Sequence, residues 1–89
     1  MRVFLTPPTA SDFEAVAATL RDAGHAVISR TRGGGSRAAL EQDTRTLFGS
    51  DFVVVLTGWK GCPESETDVL TAGGAGIAWG TVEDALAAT

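Results

Sequence analysis

The run Phe52-Val53-Val54-Val55-Leu56 constrains this chain more than any other feature. Five consecutive bulky apolar residues favour extended backbone, and they lack the alternation of a strand with one wet face. Such a segment makes sense only with both faces covered, which is the setting of a central strand in a parallel sheet flanked by helices. Residues 2–6 repeat the pattern and are closed by Pro7-Pro8, which cannot continue a ladder. Ala26-Val27-Ile28 and Ile77-Ala78-Trp79 are two further short apolar runs.

Helical spacing fills the intervals between these runs. Ser11 with Glu14 three residues on has the form of a capping box, and Phe13, Val16, Ala17 and Leu20 follow the i, i+3, i+4, i+7 pattern until Gly24 stops it. Ser36 can cap a second helix in which Leu40, Thr44 and Leu47 share a face, ended by Gly49. Between them, residues 31–36 contain three consecutive glycines and read as loop. Ser65 with Asp68 repeats the capping-box spacing before a small-residue helix that ends at Gly74 or Gly76, and Thr81 with Glu83 opens a last helix through Ala87.

The order β-α-β-α-β-α-β-α, with crossovers this short, predicts parallel pairing and right-handed connections. The expected fold class is therefore a small α/β domain with a four-stranded parallel sheet in the order 2-1-3-4. The first helix should lie on one face, with the second and third closing the other side or its edge. At 89 residues there is room for one domain, residues 1–89, and no linker or internal repeat divides it. A domain this short buries only roughly 60–65% of its unfolded surface, so a homo-oligomer, dimer or larger, is the expected state.

Charge and composition narrow the partners. Seven basic against eleven acidic residues give a net charge of −4, which opposes binding to duplex nucleic acid. The first apolar run is too short for a signal-peptide core, and the stretch 69–82 is broken by glycines and falls short of the ~20 apolar residues of a membrane span. No membrane association and a cytoplasmic location are expected. The one cysteine, Cys62, has no partner for an internal disulfide, and neither it nor His25 belongs to a zinc or thiol-protease pattern, so no metal is expected.

In open parallel sheets ligands bind at the carboxyl ends of the strands. That edge comprises residues 6–9, 29–36 and 57–66. Thr6 and Thr9 flank the prolines with hydroxyls able to meet a sugar or base, although ordinary turn chemistry is the favoured account of them. Arg30, Arg32 and Arg37 bracket the glycine run, as solvated charges or as contacts for a phosphate. The glycines match no phosphate-loop pattern. Asp43 falls on the stripe of Leu40 and Leu47 and so should face the sheet, whereas Glu41 should face solvent.

Several features converge: Leu5-Thr6-Pro7-Pro8-Thr9, Ala23-Gly24-His25, Asp43 eight residues before Asp51, and the block 51–59 ending in Gly58-Trp59. Over about residues 2–79 the chain resembles the nucleoside 2-deoxyribosyltransferase-like proteins, including a compact subgroup of unknown function found in phage and bacterial genomes. The resemblance implies a flavodoxin/Rossmann-like three-layer domain. In that subgroup a helical glutamate follows nine residues after the Gly-Trp, and here that position is Asp68. Three positions differ from the family pattern: Asp68 replaces the glutamate nucleophile, Cys62 stands where a second aspartate is usual, and Pro7 replaces a glycine.

The resemblance implies an enzyme of N-glycosidic bond chemistry, a nucleoside deoxyribosyltransferase or a nucleoside or nucleotide N-glycosidase, needing no cofactor. It implies Asp68 as the carboxylate nucleophile and Asp43 as its catalytic partner, with Thr6, Pro8, Thr9, Trp59 and Ser65 binding the substrate. Each residue has a structural alternative. An acid three residues after Ser65 is what capping and the helix dipole favour. Asp43 is also an ordinary helix acid, and Trp59 suits a subunit interface as well as base stacking. Glu64 and Glu66 crowd the same helix start as reserve acids. A nucleotide-binding or regulatory module that has lost turnover is the alternative function.

Overall fold

A computed structural model describes residues 1–7, 10–29 and 45–88. In chain order these form β1 (Arg2–Thr6), α1 (Phe13–Asp22) and β2 (Ala26–Ser29), then helical residues 45–48 (α2) and β3 (Phe52–Val55). A 3₁₀ turn (Trp59–Gly61), α3 (Pro63–Ala75), β4 (Ala78–Gly80) and α4 (Val82–Ala87) complete the chain. All strand pairs are parallel, in the order β2-β1-β3-β4. The expected architecture is therefore the one observed. The glycine run 33–35 and Asp43 lie outside the described residues, as do Pro8, Thr9, Arg30, Arg32 and Arg37.

The layers follow from the two-residue period of the strands. Val3 and Leu5 of β1, with Phe52 and Val54 of β3, meet Phe13, Ala17 and Leu20 of α1 and Ala85 of α4. The intervening Phe4 and Val53 pack on the opposite face against Leu47 of α2 and Ala72 of α3. Right-handedness explains this division. A crossover from β1 leftward to β2 and one from β3 rightward to β4 must run over opposite faces of the sheet. Val53 and Val54 are fully buried, as a central strand covered on both sides requires.

Helix boundaries depart from expectation at two starts. α1 begins at Phe13 with Asp12, not Ser11, at the cap position, and Asp12 makes no capping bond with its side chain. Its Oδ2 instead accepts the Thr57 hydroxyl at 3.2 Å, so a tertiary contact has displaced the local cap. α3 begins at Pro63, two residues before Ser65, because proline suits the first helical position, where its missing N–H is no loss. Ser65 is thus inside the helix and caps nothing. Among the described helix starts only that of α4 carries a capping box, between Thr81 and Asp84 rather than Glu83.

The helix ends follow the glycines. Gly24 (φ 90°) lets the His25 N–H return to the Leu20 carbonyl at 3.0 Å. Gly76 (φ 73°) does the same for α3, where the Ile77 N–H reaches the Ala72 carbonyl at 2.9 Å. No described helix is long and apolar enough to cross a membrane.

Candidate functional site

In the order 2-1-3-4 the crossovers leave β1 and β3 in opposite directions, so the topological switch point lies between the carboxyl ends of these two strands. Thr6 is the last residue of β1 and pairs with Val55 near the end of β3. Two residues beyond Phe4, it points to the α3 face of the sheet. Its hydroxyl is fully buried and has two polar partners from α3: Ser65 Oγ at 2.8 Å and Asp68 Oδ2 at 3.0 Å.

α3 supplies these partners because its buried stripe is Ser65, Asp68, Val69 and Ala72, the i, i+3, i+4, i+7 face of a helix. The apolar half packs on the sheet and the polar half meets the end of β1. Ser65 is fully buried and Asp68 is 3% exposed. Proton counting fixes the direction of the chain of bonds. The Thr6 hydroxyl has one proton and donates it to Asp68 Oδ2, so the Ser65 hydroxyl donates to Thr6 Oγ1. Ser65 and Thr6 therefore form a two-hydroxyl relay ending on the carboxylate, each bond strengthened by the low dielectric of its surroundings.

The remaining expected residues separate. Trp59 is half-buried and meets Trp79 edge-on, with ring centroids 5.6 Å apart and planes at 65°. It lines a cleft on the α1 and α4 side together with Asp12, Val16, Thr57, Thr81 and Glu83, and the Thr6–Ser65–Asp68 cluster does not contribute to that cleft. Cys62 is half-buried at the cap position of α3, and its thiol points to Glu64 Oε2 at 3.6 Å. His25 is buried at the opposite edge of the sheet, with Nδ1 3.2 Å from the Met1 amine. Among the described residues no group of three or more His, Cys, Asp or Glu side chains is placed to hold a metal ion.

Sequence reasoning named Thr6, Ser65 and Asp68 singly but missed that they bond to one another. The signal was present in the spacing 65, 68, 69, 72, which puts a serine and an aspartate on the apolar stripe. The Asp12–Thr57 contact was also missed, since Ser11 with Glu14 offers a complete local cap and gives no cue to a contact 45 residues away.

The fold and the cluster define a class: a three-layer parallel α/β domain with a buried hydroxyl–carboxylate cluster at its switch point. Comparison with protein-family models, with curated proteins and with solved structures finds no match. The particular function therefore rests on the cluster and its chemistry.

Proposed function

We propose that the protein acts on the N-glycosidic bond of a nucleoside or nucleotide, with Asp68 as a carboxylate nucleophile. The observation that carries this reading is the Thr6–Asp68 hydrogen bond, by which an acid of α3 is held beside the end of β1 at the switch point. The resemblance to nucleoside 2-deoxyribosyltransferase-like proteins points to the same aspartate. A carboxylate oxygen of Asp68 attacks C1′ of the sugar, and the C1′–N bond breaks with its electron pair leaving on the base, which takes up a proton. Water, or a second base, then attacks C1′ and releases the carboxylate. Thr6 and Ser65 hold the carboxylate in one orientation during this exchange.

The test is base release from a panel of deoxynucleosides, ribonucleosides and their 5′-phosphates, followed chromatographically. Asp68→Asn keeps the shape and should lower release by about 10³-fold or more while ligand binding survives. Equal rates in the two proteins would remove Asp68 from the chemistry.

A second reading is a nucleotide-binding module without turnover, and the near-complete burial of Asp68 favours it. It is the reading retained if the wild-type protein binds members of the panel and releases base from none.

A further inference from the structure

We propose that the cleft between α1, α4 and the β3–α3 loop binds a small planar aromatic cation, such as an arylamidinium or a protonated amino-heteroaromatic. Its volume is about 320 Å³, within the size range of small-molecule sites. Val16, Leu56 and Val82 form apolar walls, Trp59 adds an aromatic surface, and Thr57 and Thr81 add hydroxyls. Among the described residues, Asp12 and Glu83 contribute the only charges of the lining, and no described Lys, Arg or His lines it. A ligand with a flat apolar body and a positive, hydrogen-bond-donating end matches this inventory.

Asp12 gives the cleft its polarity. An aspartate at a helix cap normally accepts from the first-turn N–H groups, yet this one makes no such bond. Its Oδ2 is fixed by Thr57, and its Oδ1 is shut off from solvent with no hydrogen-bond partner among the described residues. The carboxylate is thus left short of donors, and its accessible oxygen is the stronger acceptor for a cation in the cleft. Oδ2 accepts a single proton from Thr57 and keeps a lone pair toward solvent, where an amidinium N–H can donate, and a charge-assisted bond of this kind is the strong form. The Thr57 contact restrains the carboxylate beforehand, so little rotamer freedom is left to lose on binding.

The walls Val16 and Val82 belong to the α1 and α4 side of the sheet, whereas Asp68 is reached from α3. This site is therefore independent of the proposed glycosidic chemistry. Among the described residues Lys60 is a nearby cation: its Nζ lies 5.9 Å from the Trp59 ring centroid, and the residue is outside the lining.

The experiment is an NMR titration of the full chain with benzamidinium, with benzoate as the isostere of opposite charge. Saturable shifts are expected at the Asp12, Thr57 and Val82 amides and the Trp59 indole N–H. The expected dissociation constant is about 10 mM, since a ligand of roughly nine heavy atoms binds in that range at ordinary ligand efficiency. Asp12→Asn should weaken binding about tenfold. Lys60→Gln, which removes a like charge beside Trp59 and leaves every lining residue in place, should strengthen it. If Asp12→Asn does not fold, Glu83→Gln provides the same reading with a smaller loss. Absence of saturation, equal binding by benzoate, or unchanged affinity in both carboxylate variants would overturn the proposal.

Discussion

The hydroxyl relay makes a prediction that depends on its direction. Thr6→Val is nearly isosteric, yet it removes the donor to a buried carboxylate and the acceptor for a buried serine hydroxyl. The lost bond to the charged group costs about 1.5–3 kcal/mol, and the stranded Ser65 O–H about 1 kcal/mol more. The sum is about 2.5–4 kcal/mol. Ser65→Ala removes only the outermost donor and strands no proton, so it should cost about 1 kcal/mol. At about 2.1 cal/mol/K of unfolding entropy per residue, 89 residues give about 0.19 kcal/mol/K. Thr6→Val should then melt roughly 13–21 °C below wild type, and Ser65→Ala roughly 5 °C below. Urea unfolding read by tryptophan fluorescence, with equal slopes in all proteins, measures both. Thr6→Ser restores the hydroxyl and should recover most of the loss, even if Thr6→Val falls below the threshold for folding. A Thr6→Val cost under about 1 kcal/mol, or a Ser65→Ala cost equal to it, would refute the relay.

Two further outcomes are expected. A Cβ at Gly80 would meet Asp84 Oδ2 at 2.5 Å and Asp84 Cβ at 3.0 Å, so Gly80→Ala must displace the α4 capping box. It should cost about 1–2 kcal/mol in thermal unfolding, and an unchanged melting temperature would show that the cap contributes nothing. The homo-oligomer proposed for so small a core would use the Gly- and Ala-rich α3 surface, where Leu70 is 76% exposed. Light scattering should find at least a dimer at micromolar concentration and a monomer for Leu70→Asp, and a wild-type monomer would refute it.

The sheet was legible because the decisive signals are local and apolar. Residues 52–56 require cover on both faces, 2–6 end at a double proline, and Gly24 and Gly76 mark helix ends that only positive φ allows. Given four strands and three crossovers, handedness leaves little freedom in the order. Helix starts were less legible, for a physical reason. Ser-x-x-acid is the spacing of a capping box and equally of two neighbours on one helix face. At Thr81 the side chain has no better partner and the box forms, with Asp84 as its acid. At Asp12 and Ser65 a partner from another element competes, Thr57 in one case and Thr6 in the other, and the tertiary bond prevails.

The same competition explains why the cluster was visible only as separate residues. Thr6 is the polar end of an apolar strand, and Ser65 and Asp68 sit at the polar end of an apolar stripe. Each reads as an ordinary terminus until the strand and helix are brought together. Folding alone does not require the arrangement. Replacing every partner of a buried polar cluster by apolar groups of similar shape is often neutral or stabilising, whereas removing one partner is costly. Here two of the four buried positions of α3 are polar, in a domain whose short chain leaves it little apolar surface to bury. A core under selection for stability alone would place Val or Leu at such positions. Their occupation by a serine and an aspartate, bonded to the one polar residue of β1 that reaches the switch point, is a cost in packing that a bound substrate or ligand at that edge would offset.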